Sequence, residues 1–269
     1  MQFFRKSVHS YILVISILGI TAAFSTMETL DYPNLKWITL FALTGAVLLL
    51  NHHLIQLPPK GNTLSMDSAI YLASLFLYGL DFTINVLILS SLIFAFSETG
   101  TKWWTHLLNF SIYSLMLVTS YHVFTLAGGQ VGNVHLVNLV PYIASLSIYF
   151  VINALLVGGF FLLSASENLL TVLKGMVSDT IATYLSTLLL SLVLVILLSA
   201  QNLFGLFLFI CIAFLLSQAF RQHFELYKEV AYKANIDDLT GLNNHGYFKE
   251  LLEKEYSIAR ETGDRKSVV

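Results

Sequence analysis

Polar side chains that could carry chemistry lie in or beside strongly apolar segments of the chain. Eight of them stand out: His52, His53, Asp67, Asp81, His106, Asn109, His122 and Asn153. Because ionisable groups inside a membrane are costly, each is a candidate functional site. Histidines and carboxylates could bind a metal ion or haem if folding brought two of them together. The asparagines could instead hydrogen-bond between helices.

The ionisable residues also have structural alternatives. Adjacent residues on a helix point about 100° apart, so His52 and His53 do not converge on one metal and suit a membrane interface. Asp67 could cap a helix, and Asp81 could form a turn. We therefore predict no metal site, and the lone Cys211 excludes a disulfide framework or a cysteine-based metal centre.

A second polar pattern lies near the end of the chain, in residues 236–248. Thr240 and Gly241 indicate a turn, and Asn243 or Asn244 can cap the helix that follows. That helix has an apolar stripe and is expected to end at Gly263. Residues 265–269 look like the entry into a strand, which suggests that the sequence is cut within a domain.

The composition defines the setting of both patterns. Of the 269 residues, 56% are hydrophobic and 11% are charged, whereas average globular domains have about 25% charged residues. Of the 30 charged residues, 13 lie in residues 1–220 and 17 in the last 49. This step predicts a chain that leaves the membrane near residue 221. Its composition excludes disorder, and no basic face suggests nucleic acid.

Apolar runs predict about eight membrane-spanning helices in a domain of residues 1–220, because about 20 apolar residues cross a bilayer. The approximate spans are 8–26, 37–57, 64–80, 82–97, 107–127, 137–165, 181–200 and 203–220. The third and fourth could instead form one re-entrant hairpin, which would leave six crossings.

Lysine and arginine indicate the cytoplasmic side. With eight spans and a cytoplasmic N-terminus, the inner segments hold Arg5, Lys6, Lys60, Lys102, Lys174 and Arg221, and the outer loops hold Lys36. We therefore expect a multi-pass protein of the cell membrane with both termini in the cytoplasm. The bilayer is its first expected partner.

Residues 221–235 continue the last span as a helix with a coiled-coil seam. Its apolar residues follow steps of four and three: Phe220, Phe224, Tyr227, Ala231 and Ala234. This spacing predicts a parallel homodimer. The alternative is an amphipathic helix that lies on the lipid surface.

The segment after this linker, Asp237-Asp238-Leu239-Thr240-Gly241-Leu242-Asn243-Asn244-His245, resembles the opening D-x-L-T-G-L-x-N-R signature of GGDEF domains. His245 departs from it, because the family usually has Arg there. The resemblance covers about residues 235–269. It implies an all-α polytopic membrane domain followed by a signalling helix and, from residue 236, the N-terminal fragment of an α/β GGDEF domain.

The family consists of diguanylate cyclases, which condense two GTP molecules into cyclic di-GMP with Mg²⁺ bound by carboxylates. Their catalytic motifs lie downstream of residue 269, so the resemblance implies no catalytic residue and no bound cofactor here. These 269 residues alone should be inactive. The motif residues Asp237, Leu239, Thr240, Gly241, Leu242 and Asn244 would fix the junction between linker and cyclase, with Asp237 and Thr240 coupling the two.

The sequence thus favours the input region of a diguanylate cyclase that responds to an unidentified sensory ligand. Two alternatives stay open. One is a degenerate GGDEF receptor without catalysis, and the other is a transporter or permease with a short cytoplasmic tail.

A topology reporter fused after Gly132 tests the predicted orientation of the membrane spans. We expect an extracytoplasmic readout, because Gly132 follows the fifth span in the eight-span arrangement. Reporters fused after Lys60 and after Ala234 serve as cytoplasmic references, and a cytoplasmic signal at Gly132 would contradict the arrangement.

Overall fold

The computed structural model describes residues 2–27, 33–51, 55–57, 62–64, 66–98, 100–164, 169–237 and 240–262. A short 3₁₀ helix, Leu136–Asn138, occurs there together with eight α-helices and one two-stranded hairpin. The α-helices and strands are α1 Gln2–Ser25, α2 Asn34–Asn51, β1 Ile55–Leu57, β2 Asn62–Leu64, α3 Asp67–Tyr78, α4 Leu80–Ser97, α5 Trp103–Leu126, α6 Leu139–Ser164, α7 Leu169–Asn235 and α8 His245–Thr262.

Six of the helices in these ranges are long and apolar enough to cross a membrane: α1, α2, α4, α5, α6 and α7. The prediction of a helical, multi-pass membrane protein is therefore confirmed. Backbone groups in lipid have no water to bond, and a helix satisfies them within one segment. Apolar side chains on the outside of these helices, such as Phe41, Phe96 and Leu155, are more than half exposed and suit contact with lipid chains.

The second predicted span, 37–57, is too long at its C-terminal end. Helix α2 ends at Asn51, and Ile55–Leu57 pairs with Asn62–Leu64 in the hairpin instead. The sequence disfavours a helix that reaches residue 57, because Leu57 precedes Pro58 and a residue before proline is disfavoured in the helical region. Two consecutive prolines then prevent helix continuation.

Helices α3 and α4 form an antiparallel pair that turns at Gly79, whose φ of 89° favours glycine. Ser74 bonds Thr83 close to the turn, and Tyr71 bonds Ser90 farther from it, so the two helices run in opposite directions. Helix α3 has 12 residues and is about 18 Å long, shorter than the bilayer core of about 30 Å. It is almost entirely buried.

Helix α1 packs against α5 and α6 through small residues and a half-buried tyrosine. Gly19 lies so close to Ser111 that a side chain at position 19 would overlap it. The hydroxyl of Tyr11 donates to the carbonyl of Leu156 in α6 at 2.6 Å. Small residues allow such close approach between membrane helices.

Helix α7 reverses direction at Asn202, which has φ 49° and ψ −132°. A Cβ on Gly205 would overlap the carbonyl group of Leu197. In a continuous helix, residues eight positions apart are separated by about 12 Å along the axis. The segments before and after Asn202 therefore fold back on each other, at the point where the sequence separates spans 181–200 and 203–220.

The contact pattern divides the chain into two units. One comprises Met1–Ile55 and Thr63–Ser217, and the other comprises Gln56–Asn62 and Gln218–Val269. The first contains the membrane bundle, and the second contains the linker end of α7 together with α8.

The reversal predicts that alanine is tolerated differently at two glycine positions. Gly205→Ala should destabilise the protein by about 1–3 kcal/mol, because the new methyl group has no room beside the Leu197 carbonyl. Thermal unfolding in detergent measures this loss.

Gly45→Ala is the matched control, since a Cβ there meets no atom within 4 Å. Alanine also favours a helix over glycine, so this variant should be neutral or more stable. Equal losses in the two variants would rule out the tight reversal.

Candidate functional site

Helix α3 carries a stripe of polar residues at helical spacing, and each of them bonds to another helix. The Tyr113 hydroxyl of α5 donates to Oδ2 of Asp67 at 2.8 Å, and the Tyr149 hydroxyl of α6 donates to Oγ of Ser68 at 3.0 Å. Oδ1 of Asp67 accepts from the backbone N–H of Ser68 at 2.6 Å. Asp67 is in the first turn of α3, and the N-cap of this helix is Met66 rather than Asp67.

The same stripe continues onto α4. Tyr71 and Ser90 share a hydrogen bond of 2.7 Å, and Thr83 Oγ1 donates to Ser74 Oγ at 2.9 Å. All four side chains are buried. Loss of one partner would leave a buried polar group unpaired, which costs more than the bond itself contributes. These bonds fix α3 against α4, α5 and α6.

A half-open cavity of about 400 Å³ lies where α4 ends and α5 begins. Its polar wall includes Asp67, Tyr71, Glu98, His106, Asn109 and Tyr113. A neighbouring cavity of about 200 Å³ shares Asn109 and Tyr113 and extends to Asn153. Four of the polar residues singled out in the sequence, namely Asp67, His106, Asn109 and Asn153, therefore lie around this pair of cavities.

The other singled-out residues lie elsewhere. Asp81 is in the first turn of α4, beside Gly79 and at the far end of that helix from Glu98. His122 is exposed near the C-terminal end of α5. His52 and His53 lie outside the described residues. Within the described ranges, no group of three or more His, Cys, Asp or Glu side chains could hold a metal ion.

Sequence reasoning missed the tyrosines and Glu98, although the spacing contained the signal. His106, Asn109 and Tyr113 are separated by three and four residues, as are Asp67, Tyr71 and Ser74 in the reverse order. The first set therefore lies on one face of α5, and the second set lies on one face of α3. A polar face within an apolar helix points to another helix or to a cavity, and in this protein the two polar faces meet.

In the second unit, the motif that begins at Asp237 forms a compact junction between α7 and α8. Oδ1 of Asp237 accepts from the backbone N–H of Thr240 at 2.9 Å and from its hydroxyl at 2.7 Å. The N–H of Asp237 donates to the carbonyl of Leu242 at 2.8 Å, and Gly241 closes the turn at φ 68°. Leu239 lies outside the described residues.

Asn244 connects the ends of the two helices directly. Its side-chain amide donates to the backbone carbonyl of Ala234 at 2.6 Å, and its backbone N–H donates to the backbone carbonyl of Asn235 at 2.8 Å. Its Oδ1 accepts from the N–H of Tyr247 at 2.9 Å, so Asn244 is the cap of α8. One residue thus satisfies the last carbonyls of α7 and a first N–H of α8.

The seam residues of the linker differ in exposure. Phe220, Tyr227 and Ala234 are exposed, and Ala231 is half-buried. Phe224, in contrast, is already buried within a single protomer, with only 5% of its surface exposed. The ammonium of Lys228 lies 4.3 Å from the centre of its ring. Helix α8 also exposes an apolar row, Phe248, Leu252 and Tyr256.

No protein-family model, curated protein or solved structure matches the chain.

The junction geometry predicts that Asp237 holds the turn between the helices. Asp237→Ala removes the acceptor for both Thr240 groups, at a local cost of about 1–2 kcal/mol. Hydrogen exchange at the amide of Thr240 should become roughly tenfold faster. The helices of the membrane bundle should exchange as before.

Glu253→Ala is the matched control, because this carboxylate on α8 makes only an exposed contact of 4.0 Å with Lys249. Such surface pairs contribute little to stability. Unchanged exchange in Asp237→Ala, or the same acceleration in both variants, would show that Asp237 does not hold the turn.

Proposed function

We propose that the chain is the membrane-embedded input region of a diguanylate cyclase, followed by the first part of its GGDEF domain. The observation that carries this proposal is the junction at residues 234–247. The residues of the D-x-L-T-G-L-x-N motif that the structure describes bond to one another and to the end of the helix before them. That is the role which the resemblance assigns to this motif.

A firm junction is what such a protein needs for signalling. Helix α7 runs without a further break from its reversal at Asn202 to Asn235, and Asn244 then fastens its last carbonyls. A rotation or shift of this helix would therefore reach the start of the following domain. In a complete GGDEF domain, the exposed apolar row on α8 would be covered by the sheet that follows it.

The proposed membrane arrangement has eight helical segments. Length and composition alone count six spanning helices, with α7 as one of them. In the proposed arrangement, α7 contributes two segments because it reverses at Asn202, and α3 contributes a further short segment paired with α4. An even number of crossings places both termini on the same side, and the distribution of lysine and arginine places that side in the cytoplasm of the cell. GTP is available there.

The proposal includes a homodimer, because two cyclase domains must each present one GTP to the other. Phe220, Tyr227 and Ala234 supply an exposed seam along the linker. The signal would shift the population between dimer geometries. Mg²⁺ and GTP would bind to carboxylates of the complete domain, since the Gly-Gly pairs in these 269 residues lead into no GGDEF hairpin.

The polar cavity between α3, α4 and α5 gives one alternative a specific basis. A permease also needs a polar site enclosed by membrane helices, and the cavity could serve that purpose. A degenerate GGDEF receptor would share the junction but lack the catalytic motifs.

The reading frame beyond Val269 separates these functions. We expect it to encode an Asp-x-Asp strand motif followed by a GG(D/E)EF hairpin, because these supply the Mg²⁺-binding carboxylates. Absence of both motifs would exclude the cyclase and leave the degenerate receptor or the permease.

Cysteine cross-linking tests the dimer seam. Tyr227→Cys should form a disulfide-linked dimer in membranes, since the side chain is exposed on the proposed seam, and the native Cys211 is first replaced by serine. Lys228→Cys is the matched neighbour, about 100° away around the helix. Equal cross-linking at both positions, or none at Tyr227, would contradict a parallel seam.

A further inference from the structure

The cavity between α3, α4 and α5 has the size of a ligand site. Its volume of about 400 Å³ falls within the range of about 300–1,000 Å³ that is typical of small-molecule pockets. One wall is formed by the buried start of α3, and the rim lies where α4 gives way to α5. The residues that line it decide which chemistry it suits.

The charged groups around the cavity favour a cation. Asp67 lies inside the bundle at 7% exposure, and Glu98 lies at the rim. Among the described lining residues there is no lysine or arginine. A carboxylate in a low-dielectric setting attracts a cation far more strongly than one in water does.

Aromatic rings supply the apolar part of the wall. Tyr71, Phe94, Phe110 and Tyr113 all line the cavity. The faces of such rings attract ammonium groups, and their area accommodates an apolar body attached to the charge. A carboxylate with several rings around it is therefore suited to an organic amine rather than to a bare metal ion.

His106 adds a hydrogen-bond acceptor at the same site. Its Nε2 is buried and has no hydrogen-bond partner among the described residues. With the proton on Nδ1, this nitrogen accepts a hydrogen bond, and an ammonium N–H could supply it. Meanwhile Tyr113 and the N–H of Ser68 hold the Asp67 carboxylate in place. The carboxylate is thus fixed before any ligand arrives, which lowers the entropic cost of binding.

We infer that this cavity binds a small organic ammonium ion, with Asp67 as its counter-ion and the four rings around its apolar part. The inference stands whether or not the chain feeds a cyclase, because it rests on the membrane bundle alone. The ammonium could belong to a free amine or to the headgroup of phosphatidylethanolamine.

The test is direct binding to the full chain in nanodiscs of phosphatidylglycerol, which contains no amine. The probes are 2-phenylethylamine, the neutral 2-phenylethanol and the anionic 3-phenylpropionate, which share one ring and differ in charge. We expect a Kd of about 1 mM or below for the amine and much weaker binding of the other two. Absence of amine binding, or equal binding of all three probes, would overturn the inference.

Variants locate the site. Asp67→Asn keeps the shape but removes the charge, and should weaken amine binding by about 30-fold. Asp81→Asn is the matched control at the far end of α4 and should bind as the wild type does. If Asp67→Asn fails to fold, Ser91→Leu fills part of the cavity while leaving the carboxylate intact, and this variant should abolish binding. Undiminished binding to a folded Asp67→Asn or Ser91→Leu protein would place the amine elsewhere and overturn the inference.

Nanodiscs that also contain phosphatidylethanolamine distinguish the two sources. Weaker apparent binding of 2-phenylethylamine there would assign the cavity to the lipid headgroup. Unchanged binding would assign it to a free amine.

Discussion

The hydrogen bonds that α3 makes inside the bundle are the constraint on which the membrane part of this structure depends. Asp67, Ser68, Tyr71 and Ser74 would be costly in an apolar interior without partners. Each is paired with a different residue, and the partners come from α4, α5 and α6. Apolar packing tolerates some sliding, whereas these directional bonds fix which helices are neighbours. The position of α3 then leaves the cavity beside its first turn.

Much of the architecture could be predicted from particular residues. The apolar runs gave the helices, since a membrane requires a segment to satisfy its own backbone. Asn244 was one of two candidates for the cap of α8, and its position before the apolar stripe sufficed to propose it. The end of α2 was missed although Pro58 and Pro59 follow it, because hydropathy alone extended the run.

The cavity could not be predicted, because it depends on contacts between residues far apart in the sequence. Asp67 and Tyr113 are 46 positions apart, and a single helix pattern does not show that their faces meet. The close packing at Asn202 is similarly hidden: the sequence showed two apolar runs, but the close approach of Gly205 to Leu197 is visible only in the folded backbone. Burial of Phe224 within one protomer is also a result of folding, because its seam spacing looks the same as that of Tyr227.

The two units suggest separate tasks in one protein. The bundle contains a polar cavity, and the junction after α7 connects that helix to α8 through Asp237, Thr240 and Asn244. We propose that this junction governs a diguanylate cyclase. The most direct measurement is the rate of cyclic di-GMP formation from GTP and Mg²⁺ by the product of the whole reading frame, in membranes. We predict that the wild type forms cyclic di-GMP and that Asp237→Ala changes its rate, while Glu253→Ala does not. No product from the wild type, or the same rate in all three proteins, would overturn the proposal that the junction governs a cyclase.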